Sequence, residues 1–181
     1  MLNNKVILVT GGTGSFGKKY VEFILKNYKP KKVIIYSRDE FKQLEMKHDG
    51  SFKNNSKLRF FIGDVRDYER LLFALKEVDV VIHAAALKQV PATEYNPFEA
   101  VKTNVLGTQN LIEACLEKNI HKNLLISTDK AAAPVNLYGA TKLTAEKLFV
   151  TANNHKGKKK SIFSIARYGN VFGHQTSGEC R

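Results

Sequence analysis

Lys5-Val6-Ile7-Leu8-Val9-Thr10-Gly11-Gly12-Thr13-Gly14-Ser15-Phe16-Gly17 opens the chain as a short apolar run that gives way to glycine and then to helical periodicity. Apolar residues in succession, with no polar alternation, predict a strand covered on both faces. Gly11, Gly14 and Gly17 then close a strand and open a helix. That spacing lets backbone N–H groups approach a pyrophosphate lying at the helix N-terminus. Gly11, Thr13, Gly14, Ser15, Phe16 and Gly17 are therefore candidate cofactor contacts. A tight β-α turn that needs glycine only for packing would read the same way, so the rest of the sequence has to decide.

Working outward, apolar β-branched runs alternate with helical segments along nearly the whole chain. Strands are predicted at Lys5–Thr10, Lys32–Tyr36, Leu58–Ile62, Val78–His83, Asn123–Ser127 and Ser161–Arg167. Helices are predicted at Ser15–Asn27, Asp39–Lys47, Tyr68–Leu75, Pro97–Lys118 and Leu137–Asn153. The order predicts an α/β fold, a Rossmann-type doubly wound parallel sheet with helices on both faces. Asn96, Pro97 and Glu99 predict a capped start for the long fourth helix. Val101, Val105, Ile112 and Leu116 supply its core stripe.

The 181 residues suffice for one core and not for two ordinary domains. No apolar stretch reaches membrane-spanning length, and the first residues lack a signal-peptide pattern. The expectation is a soluble, cytoplasmic protein. Cys115 and Cys180 read as free thiols, and the five histidines show no metal-ligand spacing. His83, at the end of an apolar strand, reads as a satisfied core residue. Net charge is +12, with lysines gathered at Lys29, Lys31 and Lys32 and at Lys156, Lys158, Lys159 and Lys160. These clusters lie in predicted turns without interleaved aromatics, so they read as solvated surface and not as a nucleic-acid site. Their field would also attract an anionic ligand at long range.

Every unusual motif follows a predicted strand, and in an open parallel sheet the carboxyl ends of the strands form the ligand crevice. After the second strand, Ser37-Arg38 offers a hydroxyl and a guanidinium suited to a 2′-phosphate, which points to NADP. The alternative leaves Arg38 as surface charge and gives the ribose to Asp39 or Glu40. Asp64 and Val65 are placed to flank an adenine, or Asp64 is a turn aspartate. Ala84, Ala85 and Ala86 follow the fourth strand and join the cofactor candidates. Tyr138 and Lys142 are four apart on a predicted helix and share a face. A tyrosine with a pKa near 10 is a poor base at neutral pH, but a nearby ammonium stabilises its phenolate.

Thr10–Gly17, the Tyr138/Lys142 pair and Arg167-Tyr168-Gly169-Asn170 resemble an extended short-chain dehydrogenase/reductase. Tyr36–Glu40, Phe61–Asp67, His83–Lys88, Thr128–Ala132 and Asn136–Lys142 narrow the resemblance to the inverting UDP-N-acetylglucosamine 4,6-dehydratases, which begin pseudaminic acid and related surface-sugar pathways. The resemblance implies that Tyr138, supported by Lys142, takes the proton of the 4-hydroxyl while NADP takes the hydride. Lys130 then removes the C5 proton, Asp129 protonates the departing C6 hydroxyl, and hydride returns to C6. Reprotonation of C5 from the opposite face inverts that centre. The resemblance also places Lys88, Thr128 and Asn170 near substrate and Asn104 near the cofactor, and it implies a homo-oligomer.

The likeness runs to about Gly173, so residues 1–173 are expected to form the NADP-binding Rossmann domain and 174–181 a non-matching tail. The family continues for about as many residues again, which would supply much of the sugar-nucleotide pocket. The expectation for this polypeptide is weak or no turnover. Two other readings stay open. One is a UDP-hexose 4-epimerase, which yields no 6-deoxy product. The other is a noncatalytic NADP-binding module.

Overall fold

A computed structural model describes residues 1–170. Six strands form one parallel sheet in the order β3-β2-β1-β4-β5-β6. They are β1 (Val6–Thr10), β2 (Lys32–Ser37), β3 (Leu58–Ile62), β4 (Val80–His83), β5 (Lys122–Thr128) and β6 (Ile162–Tyr168). The doubly wound fold expected from the sequence is present. Alternation within β1 explains its two covered faces. Val6 and Leu8 face a core built with α3 (Tyr68–Ala74), α6 (Gly107–Glu117) and α7 (Leu137–His155). Ile7 and Val9 face a second core built with α1 (Ser15–Asn27) and α2 (Glu40–His48). Burial on both sides is why Val6–Val9 carries no polar residue.

The helix expected over Pro97–Lys118 is not a single α-helix. It consists of α5 (Pro97–Ala100), a π-helical turn at Val101–Leu106, and α6. The wider turn buries Thr103 and Asn104, and Gly107 follows where a Cβ would stand 2.7 Å from Val65 Cγ2. Periodicity cannot register such an insertion, because it adds a residue without breaking the apolar stripe. The expected capping box is also absent. The Asn96 amide donates to the Ala92 carbonyl at 3.0 Å, and Glu99 pairs with Arg66 and Lys102 at 2.8 and 2.9 Å. A short helix, α4 (Val90–Tyr95), precedes α5 and had no clear sequence period.

Parallel pairing throughout puts all strand-to-helix loops at one pole and all helix-to-strand loops at the other. The expected boundary after Gly173, and Cys180, lie outside the described residues.

Candidate active site

The glycine loop meets the end of β4. Gly11 has φ +64°, and a Cβ there would stand 2.8 Å from the Ala85 nitrogen, so the loop and the Ala84–Ala86 run are in contact. Gly17 packs onto Gly12, where a Cβ would come within 2.5 Å of backbone. No side chain caps α1 at Gly14, and no acidic residue occupies its first turn. A 13-residue helix thus presents bare N–H groups and a positive dipole end at the crevice, a cradle suited to a pyrophosphate.

One hydrogen-bond chain fixes the loop ends. The Thr108 hydroxyl donates to the Asn104 carbonyl at 2.7 Å and lies 3.0 Å from His83 Nε2. The Thr108 hydrogen is already used, so Nε2 carries the proton and Nδ1 accepts from the Thr10 hydroxyl at 2.7 Å. Thr10 Oγ1 in turn accepts from the Ala84 and Ala85 N–H groups, both at 3.2 Å. His83 is thus the satisfied core residue its position suggested, and burial pushes its pKa down to about 3. The unfolded chain protonates this histidine below about 6.5 while the native state does not, so native stability falls as pH is lowered from about 6.5 towards 3. Melting curves between pH 4.5 and 7 should show that slope in the wild type and a flatter one in His83→Gln.

At the far end of the crevice Ser37 is buried, its hydroxyl accepting from Gln43 Nε2 at 2.9 Å. Arg38 is exposed and reaches Asp64 at 3.7 Å. Asp64 also takes two side-chain hydrogen bonds from Arg66, at 2.9 and 2.7 Å. Burial works to raise the Asp64 carboxyl, but the Arg66 hydrogen bonds outweigh it and hold the group below the usual carboxylate range. Asp39 is committed elsewhere, because it caps α2 by accepting from the Lys42 N–H at 3.0 Å. Val65 is buried beside Gly107.

Asn104 is a brace. Its side chain binds the Leu87 N–H and carbonyl at 2.8 and 2.9 Å and the Thr141 hydroxyl at 3.1 Å. Lys88, in the loop that Asn104 pins, is exposed to solvent.

The centre of the site is the end of β5. Thr128 donates to Asp129 Oδ1 at 2.9 Å, and the same oxygen accepts the Lys130 backbone N–H at 2.9 Å and faces the Lys130 ammonium at 3.4 Å. The Thr128 hydroxyl, with Lys130 beside it, lowers the Asp129 carboxyl. Lys130 Nζ also donates to Asn170 Oδ1 at 3.2 Å, which brings the end of β6 to the same place. Tyr168 stacks on Phe16 with ring centroids 5.9 Å apart, tying that strand to the glycine loop. Tyr138 enters from the first turn of α7, which Asn136 caps by accepting from the Gly139 N–H at 2.8 Å. Its phenol is half-buried, and desolvation raises its pKa, opposed by the Thr128 hydroxyl. Lys142, one turn on, is buried and donates to the Ile126 carbonyl at 2.8 Å. Burial lowers its pKa to about 8, against the attraction of Glu146. Asp129, Lys130, Tyr138 and Asn170 therefore gather at one crevice, and Lys142 lies buried one turn further along α7.

Sequence reading missed three contributors. Glu146 lies four residues after Lys142 and is buried; continuing the four-residue spacing would have found it. Arg167 grips Glu146 from β6, with Nε donating at 2.8 Å. Glu94 of α4 accepts the Leu137 N–H at 2.7 Å, a tertiary contact with no local signal.

A family model described as "Polysaccharide biosynthesis protein" matches residues 7–178. The chain belongs to that family. It is 60% identical over 177 residues to the UDP-N-acetylglucosamine 4,6-dehydratase (inverting) of Campylobacter jejuni subsp. jejuni serotype O:23/36, covering 98% of this chain and 52% of that protein. It thus spans about half the length of the curated relatives it matches. Among solved structures, Pen from Bacillus thuringiensis superposes with a TM-score of 0.92 at 42% identity, over 97% of this chain and 55% of that one. The UDP-glucuronic acid 4-epimerase of Bacillus cereus in complex with NAD gives a TM-score of 0.75 at 28% identity, over 93% and 58%.

Charge in this family member is distributed unevenly. The N-terminal segment and the helix-to-strand loops, at the pole away from the site, carry eleven lysines against three acidic residues. The described strand-to-helix loops at the site carry four basic and four acidic residues. The 13 residues of α1 put the poles about 20 Å apart, roughly two Debye lengths at physiological salt. The long-range attraction expected from the net charge is therefore weak at the crevice.

Proposed function

We propose that the protein is an NADP-dependent, inverting UDP-N-acetylglucosamine 4,6-dehydratase of surface-sugar biosynthesis, such as the pseudaminic acid route. The observation that carries this reading is the Asp129–Lys130 contact at the end of β5, 3.4 Å long and adjoining Tyr138. The 60% identical relative bears the same activity in its name. The bare N-terminus of α1 and the Gly11 contact suit a dinucleotide pyrophosphate, and the structural neighbour from Bacillus cereus holds NAD.

A nicotinamide held by the glycine loop would supply the hydride acceptor for C4 of the sugar and the hydride donor for C6. Tyr138 takes the proton of the 4-hydroxyl, and the Lys142 ammonium below stabilises the resulting phenolate. The C4 ketone acidifies the C5 hydrogen, which Lys130 removes as the C6–O bond breaks and Asp129 protonates the leaving oxygen. At rest the pair is charged the wrong way for this task, with Asp129 held as an anion beside the Lys130 ammonium. One proton passed across their 3.4 Å contact supplies both the base and the acid. Lys88, Thr128 and Asn170 line the sugar side of the crevice. Protonation of C5 from the opposite face gives the inverted 4-keto-6-deoxy product.

Incubating UDP-N-acetylglucosamine in heavy water at high protein concentration and over long times, so that weak turnover still yields product, tests the reading. The expected product carries deuterium at C5 and is inverted there. A retained C5 would refute the inverting assignment. A 4-epimer with no 6-deoxy carbon would instead support the epimerase reading suggested by the Bacillus cereus neighbour.

NADP preference rests on Arg38. Asp39 is occupied as a helix cap, and Asp64, 3.7 Å from Arg38, is already bonded to Arg66, so the exposed Arg38 guanidinium can turn to a 2′-phosphate. Arg38→Ala should weaken NADP binding about 10–100-fold, as for loss of a charge-assisted hydrogen bond, and leave NAD binding within about threefold. Calorimetric titration with each dinucleotide checks this.

A homo-oligomer is also proposed, through the groove of about 480 Å³ between α6 and α7, whose apolar lining includes Ile112, Leu116, Leu148 and Ala152. Sedimentation velocity distinguishes it from a monomer. Among the described residues no helix is long and apolar enough to cross a membrane, and a cytoplasmic location, where nucleotide sugars are made, is part of the proposal.

A further inference from the structure

Three charged side chains converge beneath the crevice. Lys142 and Glu146 lie on successive turns of α7, each 3% exposed. Arg167 reaches across from β6 and holds both Glu146 oxygens, Nε to Oε1 at 2.8 Å and the terminal nitrogen to Oε2. Lys142 Nζ donates to the Ile126 carbonyl of β5 at 2.8 Å. From β4 it faces His83, which is neutral, and on its own helix it lies between Tyr138 and Glu146.

A buried ammonium with one carbonyl partner tends to shed its proton, because burial penalises the charged form. An anion nearby counters that tendency. Glu146 would itself take up a proton if left alone in the interior. Burial pushes its carboxyl up, yet the Arg167 fork overrides burial and holds it ionised. Glu146 gives its oxygens to Arg167 and acts on Lys142 through space.

We propose that Glu146, anchored by Arg167, is a positioning residue that keeps Lys142 in its ammonium form and fixed below Tyr138. The inference rests on the reading that Tyr138 and Lys142 work as a pair, but its test needs neither cofactor nor sugar. Lysine labelled with ¹³C at Cε reports the Lys142 titration directly, the signal being assigned by its loss in Lys142→Met. In Glu146→Gln the proton affinity of Lys142 should fall at least tenfold, and Glu146→Asp should restore part of it. Glu146→Met provides a second variant should the first not fold, because it keeps the side chain's length without a buried carboxamide and lets the half-exposed Arg167 turn to solvent. The Lys142 midpoint should fall there also. A role confined to stability would lower the melting temperature and leave the midpoint in place. An unchanged midpoint in either folded variant overturns the proposal. A sugar product that carries no deuterium at C5 would sink the dehydratase reading while leaving this titration to stand or fall by itself.

Discussion

Methionine in place of Lys130 should cut formation of the 4-keto-6-deoxy product by about 10²–10⁴-fold, the span associated with losing a general base. The fold should hardly respond. Lys130 is partly solvated, and its side chain makes two long polar contacts, 3.4 Å to Asp129 and 3.2 Å to Asn170. Exchanging such a surface group alters stability by about 0.5 kcal/mol or less, or about 1–2 °C in melting temperature for a chain of this size. The first half-reaction separates the roles further. Tyr138 and Lys142 are untouched, so Lys130→Met should still reduce the dinucleotide when given substrate, and the reduced form should accumulate. Deuterium entry at C5 should vanish. Entry at the wild-type rate would remove Lys130 from the chemistry.

Alanine in place of Gly139 should cost about 3 kcal/mol, the upper part of the range for forcing atoms into a packed site. That corresponds to a fall of about 6–12 °C in melting temperature. A Cβ on Gly139 would collide with the Lys130 carbonyl oxygen, and it would stand 3.0 Å from Pro134 Cβ. The oxygen belongs to backbone and cannot swing aside, so α7 and the 3₁₀ turn at Asp129–Ala131 must separate. Tyr138 precedes Gly139, and Lys130 lies in the displaced turn, so the same substitution should also depress turnover. Gly50→Ala is the control. Nothing lies within 4 Å of its Cβ position, so it should be neutral or slightly stabilising. Differential scanning calorimetry of the three proteins decides the matter.

The contrast between these two sites shows how much of the molecule was legible beforehand. The glycine loop, the alternating elements and the strand order depend on local pattern and handedness, which β1 with its flanking Gly11–Gly17 displays openly. Tyr138, Lys142, Asp129 and Lys130 could be named because short spacings and a family resemblance marked them. Their proximity could be inferred only from the rule that strand ends share a crevice. What stayed hidden depends on tertiary contact. The π-turn at Val101–Leu106 answers to packing of Asn104 against Leu87 and Thr141. Glu94 reaches the start of α7 from an element without a clear period. Net charge misled for the same reason, since composition says nothing about which pole carries the lysines. Glu146 is the intermediate case. Its spacing was visible, but its burial and its Arg167 partner were not.

A crystal structure of the protein with oxidised NADP is the most direct test of the site proposed here. The expected pose lays the pyrophosphate on Gly11–Gly17, the 2′-phosphate beside Arg38, and the nicotinamide against Tyr138 on the side of the crevice that holds Lys130. A nicotinamide ring bound away from Tyr138, or with Lys130 on the opposite side of the protein from it, would contradict the account.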